Sequence, residues 1–213
     1  MGLHRAGFDV TGVDIRPQKR YPFAFQQGDA LEADLDGFDV AWASPPCQRY
    51  SLASVRHRNE GKVYPDLVAL IREKLKRWGG PWIMENVVNA PLSGNVVMLC
   101  GTMFGLGVFR HRLFESNFLL LVPAHSGHSG TIGDGKYFSV AGGSGRWKSW
   151  GTVHRNVSKG TATEWRQAMG IDWMTRDEIK EAIPPAYSEF LGAQILAALK
   201  AGNAEMRHGE QIP

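Results

Sequence analysis

The run Phe38-Asp39-Val40-Ala41-Trp42-Ala43-Ser44-Pro45-Pro46-Cys47-Gln48 joins an apolar segment to a stiff loop. Residues 38–43 read as a buried strand. The two prolines have no N–H to give to a ladder, so the strand must stop there. In an open α/β sheet, ligands and chemistry gather at the carboxyl ends of the strands. Cys47, presented by that loop, is therefore a candidate nucleophile, although a lone free cysteine is ordinarily a small core residue.

The segments on either side supply its surroundings. Leu67, Leu70, Ile71, Leu75 and Trp78 recur at helical spacing between Pro65 and Gly79-Gly80, which predicts a helix. Trp82 to Val87 is the next strand and carries Glu85 at its carboxyl end. Strand, helix and strand make a βαβ unit, and parallel neighbours would set Glu85 on the same rim as Cys47. Upstream, Met1 to Ala6 reads as the end of a helix closed by Gly7. Gly7 to Ile15 reads as a strand ending in Asp14, the place where doubly wound sheets hold a ribose-hydroxyl acceptor. Asp29 either caps the following turn or accepts from an adenine amino group.

Downstream, Val96 to Phe104 reads as strand and turn with Cys100 packed. Phe109 to Phe114 alternates apolar and basic residues, which predicts a strand with Arg110 and Arg112 on one face, suited to a polar rim. Gln48 to Lys62 reads as a basic loop beside the nucleophile, with Arg56 and Arg58 able to reach phosphates. Residues 123–160 turn rich in Gly, Ser and His, with Arg146 and Lys148 among aromatics, a pattern that suits nucleic acid and, nearly as well, aromatic turns in a miniature core. His125 and His128 have no cysteine or third histidine at metal-ligand spacing, so this reading assigns no metal. A helix follows at 163–169, another turn opens at Thr175-Arg176-Asp177-Glu178 in capping-box style, and a last helix runs over 187–200, then a frayed tail at 201–213.

The whole chain has 213 residues, a net charge of +3 and 43% hydrophobic residues. That suits one domain with a sizeable core and a small appended lobe. Two cysteines make no disulfide framework, so a reducing cytoplasm is the default. No apolar run approaches a membrane span, and a monomer is expected.

In order along the chain, Gly7-Phe8-Asp9-Val10 through Asp14-Ile15, Gly28-Asp29-Ala30, Pro46-Cys47-Gln48, Glu85-Asn86-Val87, Arg110-His111-Arg112 and Ala182-Ile183-Pro184-Pro185 resemble the motifs of the DNA (cytosine-5) methyltransferases. The resemblance covers nearly the whole chain. It implies a Rossmann-like α/β sheet (core 1–122) with a small target-recognition insertion (123–160) and C-terminal helices returning to the core (161–200). The implied cofactor is S-adenosylmethionine and the implied partner is double-stranded DNA. The implied catalytic set is Cys47, Glu85, Arg110 and Arg112, with the arginines favouring the thiolate. Asp14, Ile15, Asp29, Ala30, Pro46, Leu67, Ala182 and Ile183 are implied at the cofactor. Gln48, Ser51, Arg56, Arg58, Arg146 and Lys148 are implied at DNA.

There are departures. Val108 stands where the family has Gln, and Glu181 where it has Asn. The family's first strand and Gly-rich loop precede the helix in which Met1 lies, so this reading expects a late start at an internal methionine and two unpaired strand edges. A DNA-binding remnant without catalysis is the alternative. An amino-group methyltransferase would want an aromatic residue in place of Cys47, and a thiol hydrolase would want a histidine facing it.

Overall fold

The computed structural model describes residues 1–125, 127–132, 136–140, 147–149, 152–154 and 160–209, of which 147–149, 152–154 and 201–209 are described by their backbone. The fold is mixed α/β. Strands β1 (Thr11–Asp14) and β2 (Ala24–Gln27) pair in parallel. β3 (Ala41–Ala43), β4 (Trp82–Asn86), β5 (Asn95–Leu99) and β6 (Arg112–Ser116) form a second, mixed sheet in the order β3-β4-β6-β5. β3 and β4 are parallel, and β6 runs antiparallel to both of its neighbours. Among the described residues β1 and β3 each have one ladder partner, β2 and β4 respectively.

α1 (Gly2–Arg5) lies against the C-terminal helix. A Cβ on Gly2 would come within 2.1 Å of the Pro185 carbonyl oxygen, so only glycine permits that approach. α2 (Val55–Asn59) follows a 3-10 turn at Leu52–Ser54 whose start is fixed by the Ser51 hydroxyl, which accepts the Ala53 N–H. The basic stretch 48–62 is thus partly helical rather than a plain loop. α3 (Val68–Trp78) ends at Gly79, whose φ of 83° gives the left-handed cap glycine favours. Because α3 begins at Val68, its buried stripe is Val68, Ile71 and Leu75. Leu70, expected on that stripe, is turned outward and is 52% exposed.

Residues alternate along β4 between the two faces of the sheet. Trp82 and Met84 pack on α3, while Ile83 joins Phe114, Tyr187, Leu191 and Ile195 on the opposite side. Those last three come from α6 (Pro185–Gly209), which runs past the expected end at Lys200. α4 (Ala162–Met169) and α5 (Arg176–Glu181) each open with a complete capping box and build a third cluster around Trp165, Met169 and Ile179. In the 123–160 region β7 (Trp147–Ser149) and β8 (Thr152–His154) form an antiparallel pair. Among the described residues no helix is long and apolar enough to cross a membrane.

Three strand expectations need correcting. The strand before Cys47 starts at Ala41, because a turn at Leu35–Phe38 leaves Phe38 exposed. The strand from Gly7 to Ile15 is confined to β1. The third concerns Arg110, which lies outside β6 with a φ of 25°, so the two arginines do not share a strand face by simple alternation.

One buried ion pair ties the layers together. Met84 pairs with Glu115 across the ladder, so both face α3. There Arg72 meets Glu115 in a forked contact, Nε–Oε1 2.6 Å and Nη2–Oε2 2.7 Å, and the Ser93 N–H donates to the same carboxylate at 3.0 Å. The Glu115 side chain is only 4% exposed, so removing its partner strands a buried charge. Arg72→Ala is expected to lower the unfolding free energy by about 3–5 kcal/mol in a urea titration. A loss below about 1 kcal/mol, typical of a surface pair, would contradict this assignment.

Candidate functional site

The β3–β4 register decides where the polar residues meet. Ala43 pairs with Met84, so Ser44 follows opposite Glu85, and both line the same cleft. The loop from Ser44 to Cys47 is fastened from below. Asn86, fully buried, donates from Nδ2 to the Pro45 carbonyl at 3.0 Å and accepts the Val87 N–H on its own Oδ1. The Cys47 carbonyl accepts from the N–H groups of Tyr50 and Ser51 at 2.9 and 2.8 Å. Arg58 closes the next turn by donating from Nη1 to the carbonyls of Gln48 and Ser51, both at 2.8 Å. Cys47 is thereby held half-buried at the carboxyl rim.

Glu85 pairs with Phe114 across the β4–β6 ladder, which makes Arg112 its diagonal neighbour on the same face. The Arg112 Nε–Glu85 Oε1 distance is 3.0 Å, with both side chains buried or nearly so. Burial holds the Glu85 carboxyl above the ordinary carboxylate range, against the pull of Arg112, Ser44 and Arg110. Burial also pushes the Cys47 thiol up. Arg112 opposes that rise, Glu85 adds to it, and Arg110 opposes it more weakly. The arginines thus act in the expected direction, towards the thiolate, and desolvation outweighs them.

Arg110 reaches the site by a strained turn. Among the described residues it is the only non-glycine with positive φ, a conformation that costs about 1–3 kcal/mol. Three contacts hold it: the Tyr187 hydroxyl donates to the Arg110 carbonyl at 2.9 Å, and the guanidinium donates to the carbonyls of Val140 (2.6 Å) and Lys180 (2.8 Å). Its Nε has no hydrogen-bond partner among the described residues. Burial, with Arg112 alongside, pushes its pKa down to about 9, which leaves it a cation at neutral pH.

Beside this cluster lies an open cleft of about 350 Å³. One side is Gly12, Val13, Asp14, Gln18, Tyr21 and Phe25; the other is Ser44, Glu85, Glu181, Ala182 and Ile183. Two ion pairs span from the segment after β1 to α5, Arg16–Glu181 at 2.9 Å and Arg20–Glu178 at 3.0 Å. The Asp14 carboxylate accepts from the Arg16 N–H and from Gln18 Nε2. An anionic acceptor, two aromatic rings and apolar Ala182 and Ile183 thus line a recess that reaches Glu85.

Of the residues expected at a cofactor, Asp14, Ala182 and Ile183 line this cleft. The other five are engaged or placed elsewhere. Ile15 is 67% exposed. Asp29 caps its own turn through the Leu31 N–H. The Ala30 carbonyl accepts from Lys74. Pro46 is exposed, and Leu67 packs with the α3 core. Of the residues expected at DNA, Gln48 and Ser51 are turn elements and Arg58 is turned inward, its guanidinium taken up by backbone carbonyls. Arg56 is exposed and pairs with Glu60 at 2.8 Å. Arg146 and the Lys148 side chain lie outside what the structure describes. Sequence reasoning missed Asn86, although its motif was singled out, and also Ser44, Tyr187, Tyr21 and Phe25. The chain matches no protein-family model and no curated protein.

The thiol's electrostatics give a test in the free protein. Alkylation of Cys47, followed by peptide mapping, should have its pH midpoint above that of an unhindered cysteine peptide. Glu85→Gln should lower that midpoint, because it deletes a charge that opposes the thiolate. A wild-type midpoint below the peptide's would contradict the desolvated setting.

Proposed function

We propose that this chain is a DNA (cytosine-5) methyltransferase built on a Rossmann-like sheet. The observation that carries the reading is the meeting of Cys47, Glu85 and Arg112 at one sheet rim, beside a cleft that Asp14 and Glu85 share. The cleft fits S-adenosylmethionine in kind: the Asp14 carboxylate suits ribose hydroxyls, and Tyr21 and Phe25, with ring centroids 5.8 Å apart, offer an aromatic wall. When bound, that cofactor supplies the methyl group.

Carbon 5 of cytosine is too weak a nucleophile to accept a methyl group unaided. The Cys47 thiolate forms a bond to carbon 6, and the electron pair of the 5–6 double bond moves onto carbon 5. Carbon 5 takes the methyl group. Loss of its proton then re-forms the double bond and expels the thiolate. Glu85, whose carboxyl burial pushes towards the protonated form, donates to ring nitrogen 3 and accepts from the exocyclic amine, which stabilises the charge that develops on the ring. Carbon 6 is stacked inside a duplex, so the base is flipped out to reach Cys47. The 123–160 region is the reader of the surrounding sequence.

Covalent capture tests this. Duplex DNA of pooled random sequence carrying 5-fluorocytosine is mixed with the protein and S-adenosylmethionine and run on a denaturing gel. Fluorine cannot leave as a proton does, so the adduct freezes. A shifted band that disappears in Cys47→Ala is expected. DNA binding without a band would overturn the catalytic reading in favour of the binding-only alternative.

A further inference from the structure

On the other side of the β5–β6 hairpin end, four metal-ligating side chains meet. The β5–β6 ladder ends at Leu99 and Arg112, which leaves Cys100 and His111 as the residues just beyond it on the two strands. The His111 ring lies against those of His125 and His128, with centroids 5.1 and 4.9 Å away. The chain leaves β6, passes Leu120, and returns over that point with His125 and His128. One donor atom from each of Cys100, His111, His125 and His128 lies within 4.8 Å of all the others. The sequence reading discounted His125 and His128 for want of a cysteine or third histidine nearby; the fold supplies both from a distance.

Two of these spacings are close to those of a coordination shell. Cys100 Sγ to His128 Nε2 is 3.3 Å, and His125 Nε2 to His128 Nε2 is 3.1 Å. Around a tetrahedral zinc ion, sulfur–nitrogen and nitrogen–nitrogen edges measure about 3.6 and about 3.3 Å, from ordinary bond lengths. His128 Nε2 offers one proton or one lone pair to the two ligand atoms that converge on it, while the Cys100 thiol also has the Phe109 carbonyl at 2.9 Å and the Thr102 hydroxyl at 3.2 Å. A cation at the centre serves all four. The ring of His128 is fixed by stacking on Phe109, with centroids 3.9 Å apart and planes 5° from parallel.

We propose that Cys100, His111, His125 and His128 form a structural zinc site. One thiolate and three imidazoles are a borderline-soft set suited to Zn²⁺, and four protein ligands leave no open position for catalysis. The metal staples the start of the 123–160 region to the turn Arg110-His111-Arg112. It fixes the segment that carries both arginines without touching the reacting atoms. This site does not depend on the methyltransferase reading, since its ligands exclude Cys47 and Glu85.

The full chain is stripped with chelator, reconstituted with zinc alone, desalted and assayed for metal. About one zinc ion per chain is expected, with a rise in Tm on reconstitution. Cobalt in place of zinc should give tetrahedral visible bands and a thiolate charge-transfer band, and Cys100→Ser should remove the charge-transfer band. His125→Ala/His128→Ala lies on a surface segment, so it tests the site even if the cysteine variant does not fold; it should lose both the metal and the zinc-dependent rise in Tm. Substoichiometric zinc after reconstitution with no shift in Tm would overturn the proposal. So would retention of metal by the double histidine variant. None of these readouts involves methyl transfer, so failure here and failure of the Cys47 chemistry are separable.

Discussion

The buried contact between Arg112 and Glu85 is the constraint on which the rest of the site depends. A carboxylate and a guanidinium removed from water are costly, and their attraction offsets that cost only in good geometry. The fold supplies the geometry through strand register. Glu85 ends a buried parallel strand, Arg112 begins its antiparallel neighbour, and the ladder makes them diagonal partners on one face. Cys47 enters the same field because β3 stops beside β4 and the two prolines turn the chain at that point. Each group then sets the others' protonation: burial raises both the carboxyl and the thiol, while the arginines pull both down.

Support for this cluster comes from residues that do not touch it directly. Asn86 anchors the proline loop, Arg58 closes the turn beyond it, and Tyr187 holds the strained carbonyl of Arg110 from α6. A positive φ at a non-glycine persists only where its surroundings over-determine it. Here a hydroxyl and two backbone carbonyls do so, and the candidate zinc site next to His111 would add a covalent restraint on the same turn. The third cluster, around Trp165 and Ile179, supplies the two carbonyls from Val140 and Lys180. The C-terminal helices therefore shape the site as well as closing the core.

Much of this was legible in the sequence. The βαβ unit was readable because proline placement, helical spacing and a wholly apolar strand all agree, and its parallel pairing puts Glu85 on the rim of Cys47. The helix caps at Thr175 and Glu178 were legible because a capping box is local. What was not legible depends on distance or on burial. The thiol's net direction required the desolvation at Cys47 to be weighed against the pull of two arginines. Arg110 looked like a strand residue because alternation cannot reveal a backbone that turns to positive φ. Arg58 looked free because the two carbonyls that consume it belong to a turn with no sequence signature. Cys100 and His111 met His125 and His128 only through a hairpin register. Asp29 shows the reverse case, where the local reading as a turn cap was sufficient.

The central claim is that this rim adds a thiol to a cytosine ring and leaves a methyl group on carbon 5. Its most direct test is the product. Duplex DNA incubated with the protein and S-adenosylmethionine is digested to nucleosides and resolved by mass spectrometry. The account predicts 5-methylcytosine, absent with Cys47→Ala and strongly reduced with Glu85→Gln. It is contradicted by methylation of the exocyclic amine, by 5-methylcytosine that persists in Cys47→Ala, or by no methylated base at all.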